Sequence, residues 1–248
     1  MTSSEEQRVA SATHAWFTTT HWTVILAAAG PTAPEASEAL EKLCRAYWYP
    51  LYAYVRRRGY APHDAQDLTQ EFFARLLARN FLQGVAADKG RFRSFLLASL
   101  NHFLADEWDK ARAQKRGGNQ FHLSLDATTG EDRYQLEPAD DFNAEKLFER
   151  RWAAALLEQA RSRLETEYVE SGRAELYQRL RTVEAGSRAT PPYAQLGAEV
   201  GLSESAVKSA VFRMRRRYHE LLREEVAGTV SGPSEIDEEI RYLITVLS

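Results

Sequence analysis

The sequence predicts an all-helical protein made of two small helical domains joined by an acidic linker, and three observations lead there. Helix breakers are sparse, with 13 Gly and 8 Pro in 248 residues. Ala, Leu, Glu and Arg are plentiful where apolar residues recur at the three- and four-residue spacing of one helix face. Residues 117–142, by contrast, hold turn formers and acids and sustain no period.

The elements follow in order. In the N-terminal extension, 1–31, Thr18 and Thr20 offer caps for a short apolar helix that ends at Gly30-Pro31. Thr32 with Glu35 three residues on is a capping box for a helix running past Arg58, which Pro50 should kink or split. Gly59 closes that helix and Pro62 opens the next, with Ala65, Leu68, Phe72 and Leu76 on one face as far as Leu77. A third helix runs from Phe92 to Ala113, and Phe92, Leu96, Leu97, Leu100, Phe103, Leu104 and Trp108 form its wide apolar side, read as core. These helices make a first domain, 32–116.

The linker, 117–142, carries at most one short extended piece, at His122 and Leu125. Asn143 caps a helix bearing Phe148, Trp152, Leu156 and Leu164; after Gly172 another begins at Ala174 and reaches Val183. The second domain spans 143–226, and 227–248 is an acidic C-terminal helix or tail. Ile236, Ile240, Leu243, Ile244 and Leu247 line one side of that tail, which suits a helix packing on the second domain or a regulatory helix.

Composition excludes several classes. With 44% hydrophobic and 27% charged residues the chain is neither disordered nor collagen-like. The apolar run from Val24 to Ala29 is six residues long. A bilayer span needs roughly 18, so no membrane insertion is expected. The single cysteine, Cys44, has no intrachain partner and sits among apolar residues, which suits a buried thiol. No basic and then apolar leader opens the sequence, and a reducing cytoplasm is the expected home. The six histidines show no metal-ligand spacing, and neither a phosphate-cradling glycine loop nor a nucleophile motif is present. No cofactor and no catalysis are expected.

The net charge of −3 conceals the organisation. Residues 89–116 hold seven Lys/Arg against three Asp/Glu, and 203–223 hold six against two, so each segment is +4. Residues 124–149 hold two basic against eight acidic side chains, and 224–248 hold one against six. Two basic segments are thus flanked by an acidic connector and an acidic tail, a pattern that suits local phosphate contact or solvated helix faces.

Tyr193-Ala194-Gln195-Leu196-Gly197-Ala198-Glu199-Val200-Gly201-Leu202-Ser203 has the layout of a helix-turn-helix. Gly197 provides a small residue where the helices cross, Gly201 tolerates positive φ in the turn, Ser203 caps the second helix, and Val207 is its apolar anchor. At about 100° per residue, Val207, Ala210, Val211, Met214, Tyr218 and Leu221 share one face. Ser205, Lys208, Ser209, Phe212, Arg213 and Arg216 share the other. Short polar groups near the helix start can approach base edges, and longer basic ones can reach phosphates on either side of a major groove.

In the third helix Phe95, His102 and Asp106 lie opposite the apolar side, with Arg91 and Arg116 near the two ends. An aromatic beside polar groups and arginines can stack an unpaired base, or it can pack against the linker. On the preceding helix Asp64, Asp67 and Glu71 cluster on one side. That face fits a basic protein partner or complements the helix dipole.

The order of these parts resembles the extracytoplasmic-function sigma factors of bacterial RNA polymerase. Asp64-Ala65-Gln66-Asp67-Leu68-Thr69-Gln70-Glu71-Phe72-Phe73 is similar to region 2.2, which grips the beta-prime clamp helices. Phe92-Arg93-Ser94-Phe95-Leu96-Leu97, continuing to Asp106, resembles regions 2.3 and 2.4, and 196–222 resembles region 4.2. The resemblance spans roughly residues 40–226; Phe95 stands where the family usually has Trp, and Asn101-His102 where it has Arg-Asn. It implies polymerase contacts at Asp64, Asp67, Gln70 and Glu71. It further implies minus-ten contacts at Arg91, Arg93, Phe95, His102, Asp106, Lys110, Arg112 and Arg116. Minus-thirty-five contacts fall at Ser203, Ser205, Lys208, Ser209, Phe212, Arg213 and Arg216. Implied partners are core polymerase, promoter DNA and an anti-sigma factor, with the acidic connector threading the polymerase cleft as a nucleic-acid mimic. A stand-alone helix-turn-helix regulator of duplex DNA is the alternative function.

Overall fold

The computed structural model describes residues 34–77, 91–113, 127–137, 143–184, 192–230 and 232–248, and among these every regular element is helical, with no strand. In chain order the helices are α1 (Pro34–Arg57), α2 (Pro62–Leu77), α3 (Phe92–Ala113), α4 (Ala127–Gln135), α5 (Ala144–Glu170), α6 (Ala174–Glu184), α7 (Tyr193–Val200), α8 (Glu204–Ala227) and α9 (Ile236–Leu247). None is long and apolar enough to cross a membrane. The expected helix before Gly30, the Thr32 cap, the extended piece at His122 and Arg116 lie outside the described residues, as do the side chains of Cys44 and Arg112.

Contacts group the chain into two compact units, one from Met1–Ala155 with Val226–Ser248 and the other Leu156–Glu225. The first unit is built on α1. Pro50 lies inside that helix and does not split it, because Tyr47, Leu51 and Tyr54 around it are all buried. Phe72 and Leu76 of α2, Leu96, Leu100 and Phe103 of α3, and Phe148 and Trp152 of α5 complete the core. The indole of Trp152 donates to the Tyr47 hydroxyl at 2.8 Å, and Tyr47 meets Phe92 edge-on at 5.3 Å. Burial pushes the Tyr47 phenol well above its usual titration range.

Three expectations are corrected here. The connector is not bare linker: α4 packs on α1. Glu131 takes hydrogen bonds from Arg56 Nε at 2.9 Å, Arg56 Nη2 at 3.0 Å and the Tyr52 hydroxyl at 2.5 Å. The hydrogen bonds from Arg56 hold the Glu131 carboxyl below its ordinary value. Gly130 is required by closeness, since a Cβ there would lie 2.5 Å from the Trp48 ring. Glu137 accepts from Tyr49 at 2.6 Å and pairs with Arg151. Two of the connector's acids, Glu131 and Glu137, are therefore already engaged by cations of the same unit.

The tail is the second correction. Helix α9 belongs to the first unit, not to the second domain, because Glu239 pairs with Arg93 and Arg91 at the start of α3. The third is Trp108, expected in the core but 55% exposed.

In the second unit, Leu156, Ala160 and Leu164 of α5 are buried with Tyr177, Leu180 and Val183 of α6, Leu196 of α7, and Val207, Val211 and Met214 of α8. Asn143 caps α5 through its side-chain oxygen, 2.9 Å from the Lys146 amide. Gly172, at φ 70°, ends it in the left-handed conformation, with the Arg173 amide reaching the Tyr168 carbonyl at 2.8 Å.

Candidate nucleic-acid interface

The turn between α7 and α8 sets the geometry of the second unit's exposed face. Gly201 adopts φ 68°, ψ 29°, a conformation open to glycine at little cost, and the Leu202 amide donates to the Gly197 carbonyl at 2.9 Å. A Cβ on Gly197 would sit 2.5 Å from the Leu202 carbonyl oxygen, so the two helices close only over a bare α-carbon. Ser203 then caps α8, its hydroxyl accepting from the Ala206 amide at 3.2 Å.

Beyond the cap the face divides as its periodicity requires. Val207, Ala210, Val211, Met214 and Leu221 are buried and Tyr218 is half-buried. Ser205, Lys208, Ser209, Phe212, Arg213 and Arg216 are all exposed. Phe212 is 67% exposed, a large apolar ring held in water between charged neighbours. Lys208 meets Glu204 at 2.8 Å and Arg216 meets Glu220 at 3.2 Å, both one turn away on the same helix. Such exposed pairs are worth little and yield readily to a phosphate.

Arg217, by contrast, is tied inward. Its guanidinium lies 2.7 Å from Glu167 of α5 and 3.2 Å from Glu220, and the hydrogen bond from Arg217 holds Glu167 below its usual carboxylate value. Arg163 similarly meets Glu224 at 2.5 Å and Glu225 at 2.6 Å. These ties brace α8 on α5 and leave Arg213 and Arg216 facing out.

In the first unit the residues named from sequence divide. His102, Asp106 and Lys110 are exposed on α3, Phe95 is half-buried, and Lys110 pairs with Glu107 at 2.9 Å. Arg91 and Arg93 do not join that surface. Arg93 is 5% exposed, paired to Glu239 and stacked 4.1 Å over the Tyr242 ring and 4.8 Å over Trp152. Arg91 meets Glu238 at 2.6 Å.

On α2, Asp64 and Glu71 are exposed and Asp67 is half-buried, 3.1 Å from His63. Gln70 is 7% exposed and points away from the acidic face it was expected to join, since it falls on the side turned to the core. Glu71 pairs with Arg75, which also reaches Glu107 of α3 at 2.7 Å and lies 4.7 Å over Phe103.

Sequence reasoning missed two features. Arg58, Gly59, Tyr60, Asn101, Leu104 and Trp108 line a cleft of about 590 Å³, where Tyr54 donates to Asn101 at 2.7 Å. Glu239 was the other. It falls within the apolar stripe of Ile236 and Leu243, and an acid in such a stripe signals a buried carboxylate in need of a basic partner.

Comparison with family models, curated proteins and solved structures found no match. Among the described residues no group of His, Cys, Asp and Glu could hold a metal ion.

Proposed function

We propose that this chain is a promoter-recognition factor of the extracytoplasmic-function sigma type, which binds core RNA polymerase and directs it to duplex and melted promoter DNA. The observation that carries the reading is the exposed face of α8 behind a glycine-closed turn, with serines near the helix start and arginines further along. In this reading the start of α8 enters the major groove. Ser203, Ser205 and Ser209 approach base edges, Phe212 meets a thymine methyl, and Lys208, Arg213 and Arg216 neutralise flanking phosphates.

Asp64, Asp67 and Glu71 supply the acidic polymerase-docking face, while Phe95, His102, Asp106 and Lys110 handle the melted minus-ten strand. Arg112 and Arg116 stay with that strand on resemblance alone. Gln70, Arg91 and Arg93 leave the contact set, because their side chains are buried or held by carboxylates. A cytoplasmic location and an anti-sigma partner accompany the reading.

Run-off transcription with purified bacterial core polymerase on candidate promoters tests it. Initiation that depends on adding this chain supports the proposal. Duplex binding with no chain-dependent transcript overturns it in favour of a stand-alone helix-turn-helix regulator.

A further inference from the structure

The C-terminal segment closes the start of α3 through both backbone and side chain. Arg91 is the cap of that helix, its carbonyl accepting from the Ser94 amide at 3.0 Å and the Phe95 amide at 3.2 Å. The Phe92 amide, which has no partner within the helix, donates to the Thr229 carbonyl at 3.3 Å. Glu239, 0% exposed, then lies against two successive odd-numbered arginines. Its Oε1 accepts from Arg93, and Oε2 lies 3.0 Å from Arg91 Nε without the alignment of a hydrogen bond. Tyr242, one turn along α9, covers the Arg93 guanidinium, with Trp152 also stacked on it at 4.8 Å.

A negative group at a helix start is favoured by the partial positive charge of the unpaired amides, and with Glu238 also on Arg91 the two carboxylates and two guanidiniums leave little net charge to desolvate. The arrangement also sets the rotation of α3 about its own axis. Phe95 follows Arg93 by two residues, about 200° around the helix, so anchoring Arg93 inward turns Phe95 toward the outside. His102 and Asp106 continue that outward side.

We infer that Glu239 is a positioning residue for the single-strand face: by holding Arg91 and Arg93 it fixes the start and rotation of α3, so that Phe95 and His102 are presented to an unpaired strand. The inference rests on the single-strand reading of α3 and assigns the acidic tail a part in it. The tail acts as a brace of the first unit; it does not compete with nucleic acid for the two arginines, because one of them is sealed between rings.

The test uses the full chain with a fluorescein-labelled single-stranded dT15 and a labelled 30-base-pair duplex. Glu239→Gln is expected to weaken dT15 binding about tenfold and leave duplex binding within about twofold, with faster amide exchange confined to 92–97. Tyr242→Leu should give a smaller loss in the same direction, and Tyr242→Phe, which keeps the ring over Arg93 and loses only the hydroxyl's contacts with Glu149 and Arg93, should bind more nearly as wild type does. The Tyr242 pair keeps the test open if Glu239→Gln fails to fold. Unchanged dT15 affinity in the folded variants overturns the inference, as does tighter binding, which would make the tail a competitor. If wild type does not bind dT15, or if Phe95→Ala and His102→Ala leave binding unchanged, the single-strand reading itself has failed. Amide exchange then decides the brace alone, and unaltered protection of 92–97 in Glu239→Gln overturns it.

Discussion

The leading end of α3 and the outer face of α8 come from segments of equal net charge, +4 in each case, and the fold uses the two in opposite ways. On α8, Arg213 and Arg216 stay exposed, and the side chain of Arg216, paired with Glu220 one turn away, remains 72% exposed. On α3, Arg93 is sealed between two aromatic rings and a buried carboxylate, and Arg91 is held by Glu238 and Glu239. A cation whose partners are local and solvated remains available to a phosphate. One whose partner comes from 146 residues along the chain has become part of the core. Formal charge therefore says little about a binding surface until the reach of each partner is known.

Removing Arg93 should sharpen that contrast most. Arg93→Met leaves the buried Glu239 with Arg91 as its remaining cation and takes away its hydrogen bond, which should cost up to about 3 kcal/mol. Urea unfolding of the full chain measures this, and a loss below about 1 kcal/mol would return Arg93 to the surface class.

Next in size is the turn that presents α8. Gly197→Ala drives a methyl group into the Leu202 carbonyl and should cost about 1–3 kcal/mol, with a matching loss of duplex affinity. Undiminished binding would mean that the exposed face does not depend on this crossing.

Docking of α4 tests the same rule at a partly solvated pair. The Glu131 carboxyl is lowered on folding, so its contribution is complete above the ordinary value of 4.5 and disappears as pH falls through the lowered one. Trp48 stacks on Tyr52 at 5.3 Å and covers Gly130, so its fluorescence should change over that acid window. Glu131→Gln should remove the acid-dependent step and cost about 1–2 kcal/mol.

The smallest stability effect belongs to α8's own arginines. Arg213→Ala and Arg216→Ala should each change unfolding by less than about 0.5 kcal/mol while reducing the slope of log affinity against log salt by about one. Arg91→Ala should leave that slope unchanged. A flatter slope for Arg91→Ala would erase the distinction between the two helices.

Much of this was legible in the residues. The start of α2 follows from Pro62 and its apolar face from the spacing through Leu76, and the α7–α8 turn follows from Gly197, Gly201 and Ser203. The division of α8 into Val207 and Met214 inside and Ser205 and Arg216 outside is a matter of periodicity alone. Periodicity failed at Trp108, which continues the apolar row of Leu100 and Leu104 yet emerges at the cleft beside Arg58. The resemblance, not periodicity, failed at Gln70, a polar residue turned inward with the buried Thr69 and Phe72.

The sequence by itself determined where α2, α5 and α8 start and which side of α8 is apolar, because caps, breakers and the 3.6-residue repeat act within a few residues; it gave no sign of α4. Tertiary structure alone decided which charges meet: Glu239 with Arg93 and Glu131 with Arg56, while Arg216 stays in water. Such pairings join side chains tens to more than a hundred residues apart. They exist only once the packed core has brought their backbones together and removed the water that would otherwise satisfy them.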